Sequence, residues 1–149
     1  MSYKIMSAEE AASLFFNGAN VGFSGFTAAG TPKVVPSAIA AMAEKLHNEG
    51  KEFKINAFTG ASSGDMLDGA LVRANAINFR APYQSNKDLR NGINTGAVKY
   101  SDMHLSHLSQ ELRYGFYGKL DFAVVEAADV TPDGEILPSA GVGLAPTAC

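Results

Sequence analysis

The sequence predicts an α/β fold, a mostly parallel sheet with helices on both faces. Three observations carry that expectation. Short apolar runs alternate along the chain with segments whose apolar residues recur at helical spacing. Such alternation builds βαβ crossovers, which set strands side by side in parallel. The run Phe122, Ala123, Val124, Val125 is apolar without alternation, which suits a strand buried on both faces. Two other strands pass straight into glycine-rich loops, at 22–33 and 60–64. In open α/β sheets ligands sit beyond the carboxyl ends of strands, so both loops are candidate binding loops.

The elements follow in order. Ser7 and Glu10 form a capping box, from which a short helix runs to about Phe16 and stops at Gly18. Residues 20–23 read as a strand entering the first loop. Thr31-Pro32 has the look of an N-cap and first helical position. Pro36 inside that helix would remove a hydrogen bond, so the regular helix is expected to start near Val35. Its core stripe is Ile39, Met42, Ala43 and Leu46. A strand at 53–59 leads into the second loop, and Met66, Leu67, Ala70, Leu71 and Ala74 mark the next helix. Residues 76–79 read as a strand and 86–91 as a helix. Leu105, Leu108 and Leu112 give a further helix face, 121–126 the clearest strand, and Ile136-Leu137 a last short one. The end of the chain, from Leu144 to Cys149, carries neither a capped helix nor a polar tail and reads as interrupted.

A chain of 149 residues makes one domain, here 1–149, and can bury roughly 70% of its unfolded surface. With 46% apolar and 18% charged residues it has the composition of a globular protein. The net charge is −3 and the 12 basic residues are scattered, which gives no nucleic-acid footprint. No apolar run is long enough to span a bilayer, and the first residues lack a signal-peptide core. The single cysteine, Cys149, argues against a disulfide framework and fits a reducing, cytoplasmic setting. No neighbouring His or Lys in sequence would activate it as a nucleophile.

Four patterns invite a chemical reading. Gly22, Gly25 and Gly30 match neither a dinucleotide fingerprint nor a phosphate-binding loop, but let backbone N–H groups come close to a ligand. Gly60-Ala61-Ser62-Ser63-Gly64 matches the G-x-S-x-G nucleophile elbow, between a strand and a helix as that motif requires. Its downstream partners would be His104 or His107 with Asp65, Asp68, Asp88 or Asp102. Asp102 and His104 share one local segment, whereas a triad draws its members from separate loops. His104 and His107 lie three apart and would share a helix face, without a known metal signature. The plainer reading makes Asp102 the N-cap of that helix. Glu126, at the end of the clearest strand, has the place of a catalytic carboxylate, and equally of a group that orients a loop.

Five segments in order resemble the N-terminal half of the acetyl-CoA hydrolase/CoA-transferase family, near its bacterial succinate, propionate and acetate CoA-transferases. They are 24–36, 59–62, 81–86, 102–106 and 121–127, and they span nearly the whole chain. The resemblance implies a CoA-transferase-like domain of an incomplete enzyme, with the C-terminal catalytic domain absent from this chain. It implies a hydrolase or acyl-CoA:carboxylate transferase that works through a glutamyl-CoA thioester. The nucleophilic glutamate would lie in the missing domain, so no catalytic residue is assigned here, Glu126 included. The chain alone is expected to be inactive. By the same resemblance Gly25, Phe26, Thr27, Gly30, Ser62, Tyr83 and Gln84 form a wall of the acyl pocket. Ser62 and Gln84 would bond near the substrate carboxylate, with Phe26 and Tyr83 as apolar walls. Coenzyme A enters as a substrate, with no bound cofactor and no metal. Expected partners are the acyl-CoA, a small carboxylate, the C-terminal domain and a second copy in a homodimer. Two other readings stay open: a stand-alone module that binds a small acid or nucleotide, and a serine hydrolase using Ser62.

Overall fold

The computed structural model describes residues 3–61 and 64–149. Along the chain run α1 (Ala8–Ala12), β1 (Asn20–Phe23), α2 (Val35–Asn48), β2 (Ile55–Phe58) and a π-helical turn (Asp65–Gly69) that continues into α3 (Ala70–Arg73). Then come β3 (Ile77–Ala81), α4 (Lys87–Asn94), β4 (Lys99–Tyr100), α5 (Leu105–Arg113), β5 (Phe122–Val124), the hairpin β6 (Ala127–Val130) and β7 (Ile136–Pro138), and α6 (Ala145–Ala148).

Five strands form one sheet in the order β4-β3-β2-β1-β5. Each neighbouring pair is parallel. One face packs against α1 to α4 through Val21, Phe23, Ile39, Ile55, Ala57, Leu67, Leu71 and Leu89. The other packs Phe58 and Ala81 against Leu108 and Leu112 of α5 and Leu144 before α6. Helices thus cover both faces, and the parallel sheet carries a loop after each of its five strands along its carboxyl edge.

Local chemistry sets the helix starts. Both capping-box bonds form, Ser7 N–H to Glu10 Oε2 at 2.8 Å and Glu10 N–H to Ser7 Oγ at 3.1 Å. Pro36 falls in the first turn of α2, where its missing N–H has no helical partner to lose. The α1 helix ends earlier than its apolar pattern suggests. Phe15 and Phe16 leave it to pack on Phe122, with ring centroids 4.3 and 5.8 Å away. The α5 cap is His104 rather than Asp102: its Nδ1 accepts from Ser106 N–H at 3.4 Å.

An asparagine ladder crosses the sheet. Asn78 Nδ2 donates to Asn56 Oδ1 at 2.8 Å, and Asn56 Nδ2 to Asn20 Oδ1 at 2.9 Å. Asn20 Nδ2 in turn donates to the carbonyls of Tyr117 and Lys119, each at 3.0 Å. The ladder satisfies amides that would otherwise be costly to bury and ties the segment before β5 to the sheet.

Candidate functional site

The loops at the carboxyl edge of the sheet carry Gly25, Phe26, Thr27, Gly30, Tyr83 and Gln84. Ser24 follows β1 and is buried. Its Oγ donates to the Gly30 carbonyl at 2.7 Å and accepts from Glu126 N–H at 2.9 Å. One hydroxyl therefore closes the first loop on itself and fastens it to the loop after β5. Lys33 and Glu126 add an ion pair between the same two segments, half-exposed on the lysine side.

The first loop takes left-handed backbone at Gly25 (φ 112°), Thr27 (φ 53°) and Gly30 (φ 69°). Its first N–H groups bond inside the protein. Gly25 N–H reaches Val142 O at 3.5 Å, Phe26 N–H reaches Ala29 O at 2.8 Å, and Thr27 N–H reaches Ala61 O at 2.9 Å. The close backbone approach that the glycines allow thus serves a neighbouring chain segment. A Cβ on Gly30 would lie 2.0 Å from Gly141 O, and one on Gly143 2.0 Å from Gly25 O. The segment 141–143 crosses directly over the first loop, and the sequence reading had no signal for it. What the loop offers outward is side chain: Phe26 is 56% exposed.

Thr27 brings the first loop to the second, through Ala61. Ser62 lies outside the described residues. Tyr83 and Gln84 stand on the loop after β3, which begins with a cis Ala81–Pro82 bond. Tyr83 is 44% exposed, while Gln84 Oε1 is buried without a hydrogen-bond partner among the described residues. The Pro82 carbonyl accepts from Tyr100 Oη at 2.7 Å. Burial, and next the Asp102 charge, push the Tyr100 hydroxyl above its ordinary value.

Beneath the second and third loops lies a buried ion pair that the sequence reading used only as a candidate triad acid. Arg80 Nε sits 2.9 Å from Asp68 Oδ1 and its Nη2 3.2 Å from Oδ2, with both side chains fully buried. Burial raises the Asp68 carboxyl above the usual aspartate value, opposed by the charge and hydrogen bonds of Arg80. On the surface Arg73 forks onto Asp65, Nη1 to Oδ1 at 2.7 Å and Nη2 to Oδ2 at 3.1 Å, and also bonds Asp88 at 2.9 Å. The hydrogen bond from Arg73 holds the Asp65 carboxyl below its ordinary value. Three of the four acids available to a serine elbow are therefore taken by arginines, and His104 Nδ1 faces Ser106 Oγ at 2.7 Å. Among the described residues no group of three or more His, Cys, Asp or Glu could hold a metal ion. No helix among them is long and apolar enough to cross a membrane.

This architecture is that of CoA-transferases. Glutaconate coenzyme A-transferase from Acidaminococcus fermentans superposes with a TM-score of 0.71 over 98% of this chain and 63% of its own, at 12% identity, a likeness of fold alone. The sequence goes further: residues 2–149 match the acetyl-CoA hydrolase/transferase N-terminal domain, and the chain belongs to that family. It is 46% identical over 142 residues to the propanoyl-CoA:succinate CoA transferase of Escherichia coli, which covers 95% of this chain and 29% of that protein. It is 41% identical over 139 residues to the acetyl-CoA hydrolase of Schizosaccharomyces pombe, covering 89% and 26%. The chain thus spans less than a third of the length of these relatives.

Proposed function

We propose that this chain forms the N-terminal domain of an acetyl-CoA hydrolase or acyl-CoA:carboxylate CoA-transferase, and supplies one wall of its acyl pocket. The observation that carries the reading is the 46% identity to a propanoyl-CoA:succinate CoA transferase along 95% of the chain. In this chemistry a glutamate carboxylate attacks the thioester carbonyl, the C–S bond breaks and CoA leaves as thiolate. The thiolate attacks the glutamyl carbonyl of the resulting anhydride, which releases the first acid and leaves a glutamyl-CoA thioester. A second carboxylate, or water, then takes the glutamyl-CoA apart. The nucleophilic glutamate lies outside residues 1–149, and coenzyme A is a substrate rather than a resident cofactor.

Within this scheme Phe26 and Tyr83 face the acyl group, and Ser62 and Gln84 bond near the substrate carboxylate, beside Gly25, Thr27 and Gly30. Two observations support such a wall. Phe26 and Tyr83 are large apolar side chains left half-exposed beside the carboxyl edge, where a fold of this class places its ligands. Gln84 Oε1 is a buried acceptor without a partner among the described residues, which a bound donor would satisfy. The hairpin β6–β7 supports a second domain: Ile136 and Leu137 are 44% and 46% exposed, and a lone two-stranded hairpin has little stability of its own. The working enzyme is a cytoplasmic homodimer of two-domain chains.

The test is CoA transfer by the protein expressed from its complete gene, from an acyl-CoA to acetate, propionate or succinate, with hydrolysis measured in parallel. Transfer or hydrolysis is expected. A protein that consumes no acyl-CoA with any of these acceptors contradicts the proposal.

A further inference from the structure

We infer that the Asp68–Arg80 pair is a positioning device that sets the loop carrying Tyr83 and Gln84 within the candidate acyl site. The inference rests on the functional reading above. The pair has a strange place for a mere stabiliser. Both side chains are fully buried, and removing two charges from water offsets most of what their attraction returns. Apolar side chains of similar size fill such a place as well or better. What apolar side chains cannot do is hold backbone groups in register.

Arg80 does so. Its Nη1 donates to the Ala81 carbonyl at 2.8 Å, and the same carbonyl accepts from Thr59 N–H at 3.2 Å. The next carbonyl, Pro82, is held by Tyr100 Oη at 2.7 Å. Two successive carbonyls at the root of the 82–84 loop are thus fixed by side chains. Asp68 in turn aims the guanidinium by its two-pronged grip. Asp68 itself sits on the π-helical turn that follows the second glycine loop. Turns of this kind recur at functional sites, since the extra residue re-aims the side chains around it. The pair therefore links the roots of two loops that both carry candidate site residues. Beyond the fixed carbonyls stands Gln84, its Oε1 buried and unpartnered among the described residues. An acceptor kept in that state needs a rigid root.

The test replaces the pair by apolar residues, Asp68→Leu/Arg80→Met, in the protein expressed from its complete gene, with Asp68→Asn as a second variant. Chymotrypsin cuts after an aromatic residue only where the chain opens. Tyr83 reports on the loop, and the exposed Tyr114 and Phe116 serve as an internal control. Cleavage at Tyr83 should rise about tenfold relative to the control sites in both variants, the ratio expected for loss of one charge-assisted hydrogen bond. In the transfer assay the KM values for the carboxylate and for the acyl-CoA should both rise about fivefold, with kcat within twofold. A pair that served stability alone would lower the active fraction, and with it kcat, at constant KM. An unchanged cleavage ratio overturns the inference, as does faster cleavage with an unmoved carboxylate KM. A double variant that fails to fold makes the pair structural and overturns it too. If the unsubstituted protein neither transfers CoA nor hydrolyses acyl-CoA, the functional reading fails, and the cleavage ratio still decides whether the pair fixes the loop.

Discussion

Replacing Ser24 with alanine deletes one oxygen and with it two hydrogen bonds. The Gly30 carbonyl, within a buried residue, loses its donor at 2.7 Å, and the half-buried Glu126 N–H loses its acceptor at 2.9 Å. A polar group left unsatisfied inside a protein costs about 1–3 kcal/mol, so roughly 2 kcal/mol is assigned to the carbonyl and about half that to the less buried N–H. The sum, about 3 kcal/mol, moves a urea midpoint by roughly 1.5 M for a slope near 2 kcal/mol per M. The control is Glu126→Gln, which removes the Lys33–Glu126 ion pair but keeps the backbone N–H. That pair is partly exposed, 46% on Lys33 and 29% on Glu126, and such pairs contribute about 0–1 kcal/mol. The assay is urea unfolding of both variants beside the parent, followed by circular dichroism. The expected order is a large shift for Ser24→Ala and a small one for Glu126→Gln. An alanine variant that shifts no more than the glutamine variant would refute the clamp.

Other expectations concern packing and charge. Gly143→Ala should destabilise by more than about 2 kcal/mol in the same assay, since its Cβ would meet Gly25 O at 2.0 Å with φ at +52°; no loss would mean that 141–143 does not lie on the first loop. Leu71→Ala, at a fully buried position of the core, should cost about 2–5 kcal/mol, measured by thermal or urea unfolding. The folded-state pKa of Asp65 is lowered by Arg73, so its contribution to stability is present above the ordinary aspartate value of 3.8 and is lost as pH falls through the lower folded value. A carbon-detected NMR titration should place Asp65 below 3.8, and Arg73→Gln should return it toward that value; an unmoved midpoint refutes the pairing.

Much of the fold was legible because its signals are local. The bounds of β1, the Ser7 capping box and the start of α2 at Val35 depend on residues within one turn of one another. Asn86 sits one residue before α4, where its side chain caps the first turn. The unreadable parts depend on distant partners. Met66, Leu67, Ala70 and Leu71 carry a plain helical stripe, yet the backbone there opens into a π-helical turn whose Asp68 meets Arg80 from another strand. β4 has two residues, too few for any periodicity, and β6 is exposed along most of its length. The asparagine ladder joins three strands that are separate in sequence. In the candidate site, the resemblance named the loops after β1 and β3. The crossing segment 141–143 and the Ser24 clamp escaped, because glycine spacing tells that backbone comes close to something without telling what.

The central claim is that this chain walls an acyl pocket while the nucleophile lies elsewhere. The direct measurement is peptide mass spectrometry of the protein from its complete gene, after incubation with an acyl-CoA in the absence of an acceptor acid. The account predicts CoA joined as a thioester to one glutamate outside residues 1–149, with the peptides of this domain unmodified. A CoA adduct on Glu126 or an acyl group on Ser62 would contradict it.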